Sequence, residues 1–194
     1  MKLTLILGCM FAGKSSELIR YFRRLQLLNK RILVVNHLWN TRHGNGSAAV
    51  STHDSSVLEH DSVFTTDKLE NIFTQYEISD FDAILIEELQ FFNFTGSDVF
   101  RCVVDLVEVH GKTVVASGLD GSAEREPMGD VLRLIPYADE KVFLTALCRR
   151  CGDETPAMFS SRLVQSGSTV SVGGADKYEA LCRKHYLLAS GSPQ

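Results

Sequence analysis

The 194-residue sequence has no apolar run near the roughly 18 residues that suggest a membrane span. Its apolar opening, LTLILG at residues 3–8, is too short for the apolar core of a signal peptide and leads into a lysine motif. A cytoplasmic protein with no membrane partner is therefore expected. Positive charge is not in excess either: 20 Lys plus Arg against 24 Asp plus Glu leave a net charge of −4. That balance excludes a charge-driven, sequence-blind nucleic-acid binder, although a local basic pocket is compatible with it. Five cysteines are few, and odd in number, for a disulfide framework, which fits reduced thiols. There is no internal repeat. Ordinary shares of apolar residues (44%) and charged residues (23%) exclude disordered, collagen-like and low-complexity classes. A chain of this length supports one main core plus a small appendage.

The expected class is α/β, a parallel sheet flanked by helices. Lys2 to Leu7 is a run of β-formers ending in Gly8, and Leu18, Ile19, Phe22 and Leu25 follow at helical spacing. RILVV (31–35), FDAILI (81–86) and KTVVAS (112–117) read as buried strands, and 96–110 as the helix before the last of them. Such alternation implies parallel pairing. KVFL (141–144) reads as a short closing strand, and 40–51 (NTRHGNGSAAVS), aperiodic and rich in small polar residues, as a mobile loop. Three segments are expected: residues 1–144 as the main domain, 145–188 as a small module and 189–194 as a disordered tail.

Gly8-Cys9-Met10-Phe11-Ala12-Gly13-Lys14-Ser15 satisfies GxxxxGK[ST] between a strand and a helix. In that setting the glycines let backbone N–H groups surround phosphates and the helix start adds positive potential. Lys14 reaches the β- and γ-phosphates, and the Ser15 hydroxyl ligates Mg²⁺. A magnesium nucleotide also needs a carboxylate at a neighbouring strand end, and FDAILI runs directly into Glu87-Glu88. Neighbouring residues on an extended strand point opposite ways, so one carboxylate can face the metal and the other an acceptor hydroxyl. A solvated acidic turn is the plainer alternative.

Cys148-Arg149-Arg150-Cys151 and Cys182-Arg183-Lys184-His185 form CxxC and CxxH knuckles, a spacing suited to a closed tetrahedral Zn²⁺ site. A redox CxxC is the rival reading, although neither pair sits in a thioredoxin-like unit. Cys9 and Cys102 read as buried thiols. The stretch 152–175 between the knuckles reads as a long loop anchored at both ends, suited to closing over a ligand. His53-Asp54 reads as a local structural pair, with an acid–base dyad as the alternative.

Taken in order, GCMFAGKS, the TR pair at 41–42, THD at 52–54, EELQFF at 87–92, LDGSAEREPMG at 119–129, the two knuckles and GGADKY at 173–178 resemble the zinc-containing thymidine kinase family over residues 3–186. The resemblance implies a RecA-like P-loop fold, a zinc-anchored lasso over the nucleoside, ATP and thymidine as substrates, and a homotetramer. It implies that Glu88 accepts the 5′-hydroxyl proton and that Glu87 stands on the metal side. Gly8 to Ser15 with Ser16, Arg42 and Arg125 would surround the phosphates. Met10, Phe91, Leu119, Met128 and Tyr178 would line the base slot, with Ser171, Val172 and Gly173 reading the base's polar edge. The chain departs from the family pattern at Asn40 and Glu87, where Asp is usual, at Leu89, where Gly is usual, and at Ala123 and Met128, where aromatics are usual. The last two suggest a broader deoxynucleoside preference. The basic residues inside both knuckles motivate a further alternative, an ATP-binding zinc-knuckle protein of nucleic acid.

Overall fold

A computed structural model describes residues 1–40, 49–51, 57–59, 63–163 and 173–191. Strand β1 (Lys2–Gly8) runs through the phosphate-loop sequence into α1 (Lys14–Leu27), which leads to β2 (Ile32–His37). A small antiparallel pair follows, β3 (Ala49–Ser51) with β4 (Val57–Glu59), and then β5 (Val63–Thr66). The short helix α2 (Ile72–Gln75) precedes β6 (Ala83–Ile86), and α3 (Gln90–Phe94) and α4 (Val99–Val104) lead to β7 (Thr113–Gly118). A 3₁₀ segment over Val131–Tyr137 precedes the edge strand β8 (Glu140–Leu144).

The main sheet has the order β5-β2-β6-β7-β1-β8, with every neighbouring pair parallel. Both faces are covered, which is why its strands read as nearly continuous apolar runs. The two-residue side-chain period sorts them. Leu3, Leu5 and Leu7 of β1 join Leu33, Val35, Ile84 and Ile86 against Phe92, Val99, Val103 and Leu106. Ile6, Ile32, Val34 and Leu85 pack on the other face against Leu18, Ile19, Tyr21 and Phe22 of α1. Each fully buried side chain of this size contributes about 1.5–3 kcal/mol.

Strands expected at 31–35, 81–86, 112–117 and 141–144 are present with shifted ends. Two features were not anticipated. VFTT forms an edge strand, β5, and Ala49–Ser51, read as the end of a mobile loop, pairs with β4. Residues 41–48 of that loop, with Arg42, and His53-Asp54 lie outside the described residues. The helix expected over 96–110 begins at Val99, where the Asp98 carboxylate accepts the Arg101 N–H (3.0 Å). Its last turn, Asp105–Val109, widens to π geometry, and the His110 N–H reaches the Asp105 carbonyl (2.9 Å).

Beyond β8 the chain builds β9 (Ala146–Leu147), β10 (Pro156–Ala157), β11 (Phe159–Arg162), β12 (Tyr178–Leu181) and α5 (Arg183–Ala189). β9 pairs with β10, and β11 with β12, both antiparallel. This module does not stand off from the sheet. Its small core of Ala146, Cys148, Ala157, Ala180, Leu181 and Tyr186 includes Cys9 of the phosphate loop.

Candidate active site

Parallel strands end at one edge, and ligands of open α/β sheets bind there. At this edge β1, β7 and β6 are adjacent, with Leu7 opposite Gly118 and Ile86 opposite Ala116. The register brings the phosphate loop and Glu87-Glu88 to the two sides of the β7 end. Gly8 is needed there because a Cβ would meet the Leu144 carbonyl oxygen at 2.3 Å. Gly13 turns the chain into α1 at φ 83°. Lys14 Nζ donates to the Cys9 carbonyl (2.8 Å), folded back over the loop. The small module buttresses the loop from outside: Met10 N–H donates to Ser160 Oγ (3.0 Å), and Cys9 Sγ lies 3.3 Å from the Ala157 carbonyl.

Ser15 Oγ donates to Glu87 Oε1 (2.5 Å), and Ser117 Oγ donates to Glu87 Oε2 (2.6 Å). Glu87, 1% exposed, therefore bridges the first turn of α1 to β7. Its extra methylene relative to aspartate is absorbed in that reach, and the oxygen donors of Ser15 and Glu87 suit a hard cation such as Mg²⁺. Glu88 departs from the expectation of simple strand alternation. It sits at φ 53°, a conformation that costs a non-glycine residue of order 1–3 kcal/mol. The two carboxylates take different partners: Glu87 accepts from Ser15 and Ser117, while Gln90 Nε2 donates to Glu88 Oε2 (2.6 Å). Leu89, where the family favours glycine, has an ordinary helical backbone (φ −50°, ψ −34°) and lies buried in the core. No backbone conformation forbidden to a Cβ is required there.

The two knuckles converge. The ligand atoms of Cys148, Cys151, Cys182 and His185 all lie within 4.8 Å of one another, so the cluster could hold a metal ion. Cys151 Sγ and Cys182 Sγ are 3.8 Å apart, and His185 Nδ1 is 3.4, 3.3 and 3.5 Å from the Cys148, Cys151 and Cys182 sulfurs. Tetrahedral bonds of about 2.3 Å to sulfur and about 2.0 Å to nitrogen require edges of roughly 3.5–3.8 Å, so this donor set fits zinc. Of the flanking basic residues, Arg150 pairs with Glu179, itself 3% exposed, and ties the first knuckle to β12.

The model of the family described as thymidine kinase matches residues 1–186. The chain is 37% identical over 184 residues to a thymidine kinase of Myxoma virus (strain Uriarra), covering 95% of each protein. A raccoon poxvirus thymidine kinase is 37% identical over 183 residues, covering 94% of this chain and 95% of its own. The Vaccinia virus (strain Western Reserve) enzyme is 36% identical over 184 residues, with the same coverage. This chain belongs to the thymidine kinase family.

Among the family-inferred site residues, Phe91 is half-buried, with its ring centroid 5.9 Å from Trp39 and 5.7 Å from His37. Met10 and Leu119 are half-buried, and Met128 and Tyr178 are buried. Phe11 and Ala12 pack partly against the module core, while Ser16 is exposed at the start of α1. Arg125, expected among the phosphates, holds its guanidinium over the Tyr186 ring (5.0 Å). Tyr186 also donates to the Ala123 carbonyl (2.6 Å), so the zinc-knuckle helix pins the 119–126 segment. Gly173 lies against the Lys177 side chain. Arg42, Ser171 and Val172 fall outside the described residues.

Four nearby groups escaped the sequence reading. Ser117 and Ser160 are isolated serines with no motif to mark them, and Gln90 reads as one more residue of EELQFF. Burial pushes the Asp120 carboxyl above the usual carboxylate range, with the Lys14 charge opposing the rise. Only the position of Asp120 at the end of a parallel strand could have flagged it.

His37 of β2 lies near enough to Glu88 for the Glu88 charge to act on it. It is fully buried, and Trp39 N–H donates to its Nδ1 (3.1 Å), so Nε2 carries the proton and lies 3.4 Å from Thr95 Oγ1. Burial lowers its pKa; the Asp67 backbone and the charges of Asp67 and Glu88 oppose that. The unfolded chain takes up a proton near pH 6.5, whereas the native ring resists it. Stability is thus complete above that pH and falls on acidification, by at most about 1.4 kcal/mol per pH unit. His37→Asn, whose Oδ1 can still accept from Trp39, should flatten the slope of the urea midpoint between about pH 6.5 and 5. An unchanged slope would assign the acid sensitivity elsewhere.

Proposed function

We propose that the protein transfers the γ-phosphoryl group of ATP to the 5′-hydroxyl of thymidine, giving dTMP and ADP. The observation that carries this reading is the Ser15–Glu87 hydrogen bond with Glu88 at the next residue, which unites phosphate cradle and acceptor-side carboxylate at one sheet edge. The loop amides from Gly8 to Gly13 and the Lys14 ammonium bind the triphosphate. Arg42 and Arg125 add positive charge once nucleotide and lasso are engaged. Ser15, with Glu87 behind it, would hold Mg²⁺, which would supply neutralisation of the phosphate charge. Glu88 accepts the 5′-hydroxyl proton as that oxygen attacks the γ-phosphorus and the bond to the β-phosphate oxygen breaks. The thymine lies against Met10, Phe91, Leu119, Met128 and Tyr178, with backbone groups at Ser171, Val172 and Gly173 at its polar edge.

The knuckles hold Zn²⁺ structurally, since four protein ligands leave no open position. Residues 1–144 act as the nucleotide domain and 145–188 as the zinc-anchored lasso, with 189–194 as a tail. The active form is a cytoplasmic homotetramer. Among the described residues no helix is long and apolar enough to cross a membrane.

Phosphate transfer from labelled ATP to thymidine, deoxyuridine, deoxycytidine and deoxyguanosine tests the assignment. Thymidine should give the highest kcat/KM, and no transfer to any nucleoside would overturn the reading. Ala123 and Met128 favour a second outcome, comparable transfer to several bases, because a thioether adapts to different shapes where an aromatic ring does not. Salt-sensitive retention of DNA in a gel shift would instead support the nucleic-acid alternative.

A further inference from the structure

Gln90 is fully buried, and its amide is used at both ends. Nε2 donates to Glu88 Oε2 (2.6 Å), while Oε1 accepts the Leu119 N–H (3.0 Å) at the end of β7. The neighbouring strand leaves room for this contact: a Cβ on Gly118 would lie 3.1 Å from Gln90 Oε1. One side chain therefore joins the carboxylate assigned to proton transfer with the backbone of a wall of the base slot. A buried amide with both ends bonded has one orientation, because reversing it would place N–H against N–H at Leu119 and oxygen against oxygen at Glu88.

We propose that Gln90 is a positioning residue that sets the rotation of the Glu88 carboxylate and couples it to Leu119, so that seating the nucleoside base and aiming the proton acceptor become one event. The inference rests on the assignment of Glu88 as proton acceptor. Glu88 leaves the extended strand conformation at φ 53°, so side-chain contacts such as the one from Gln90, and not the pleat, aim its carboxylate. A carboxylate has about four acceptor sites, so the bond from Gln90 restrains its rotation without by itself using up its capacity to accept from a hydroxyl. Because Gln90 is uncharged, it holds Glu88 by donation without supplying a proton of its own.

Steady-state kinetics of the full-length protein with ATP and thymidine test this through Gln90→Met, Gln90→Glu and, as reference, Glu88→Gln. Gln90→Met matches the side-chain length but cannot donate. It should lower kcat about 10–100-fold with the KM for ATP changed less than about threefold, the signature of a misaimed group. Gln90→Glu can donate to Glu88 only while the two carboxyls share a proton, so its kcat should fall as pH rises through that pair's upper apparent pKa, where wild type shows no such fall. Among the described residues, the other titratable groups to account for are Glu87, next to Glu88 in the chain, and His37 of β2, on which the Glu88 charge acts. Both are present in wild type as well, so the difference between the profiles isolates the new pair. Should Gln90→Met fail to fold, the pH profile of Gln90→Glu alone decides. Wild-type kcat in Gln90→Met, or a wild-type pH profile in Gln90→Glu, overturns the positioning role, provided that Glu88→Gln has lost kcat. If Glu88→Gln keeps full kcat, the assignment of Glu88 has failed, and the Gln90 proposal falls with it.

Discussion

Glu88→Gln should lower kcat for thymidine phosphorylation by about 10²–10⁴-fold while leaving ATP affinity within a few-fold of wild type. The split follows from where the carboxylate sits. Glu87 accepts from Ser15, at the start of the helix that follows the phosphate loop, and from Ser117, whereas Glu88 accepts from Gln90. On the proposed assignment, neutralising Glu88 removes the proton acceptor but leaves the cradle's N–H groups and Lys14 untouched. Glutamine at 88 keeps the size of the side chain, although an amide nitrogen facing the Gln90 Nε2 must rotate or lose that bond. Rapid-quench measurement of the chemical step, beside ATP binding followed by a fluorescent analogue, separates the two effects. Normal kcat would require another residue to take the proton. Asp120 is then the next carboxylate to examine, since burial already raises its proton affinity.

Much of the framework was legible because it rests on strong local signals. The phosphate loop is a short motif with a strand before it and a helix after it, and the CxxC and CxxH knuckles state their own ligand set. Buried parallel strands read as apolar runs because both their faces are covered. VFTT was overlooked because an edge strand needs neither length nor a continuous apolar run, and Val63 and Thr66 alone are buried along it. The backbone of Glu88 was misread as extended for a different reason. Strand alternation is a rule for extended backbone, and nothing local in EELQFF announces that the chain leaves it at φ 53°. Gln90, Ser117 and Ser160 act across 29 to 150 residues of sequence separation or through a turn of unusual geometry. Periodicity and motif spacing carry no information about such contacts. The tie between module and phosphate loop is of this kind: Ser160 and Ala157 meet Met10 and Cys9 only once both units have folded.

That tie makes metal removal the second large effect. Zinc in small knuckle sites contributes about 10–16 kcal/mol apparent binding free energy, comparable to the roughly 5–15 kcal/mol that stabilises a whole domain. The module's own core consists mainly of alanines, cysteines and one tyrosine around short two-stranded pairs, too little apolar volume to replace that contribution. Without metal, three thiols and an imidazole crowd together with nothing to offset the ordering of both knuckles. Chelation, or Cys182→Ser, should therefore unfold residues 145–188 while leaving the six-stranded sheet, whose cores are separate, as a distinct later transition. Turnover should fall with the first transition and not the second, because Ser160, Ala157 and Tyr186 then release Met10, Cys9 and Ala123 together. Metal analysis, limited proteolysis and thermal melting on one preparation test this. One zinc per chain, early cleavage between residues 145 and 188 after chelation, and activity restored by added zinc are the expected results. A metal-free protein that melts in one unchanged transition and keeps its kcat would show that the knuckles neither hold the module together nor support the phosphate loop.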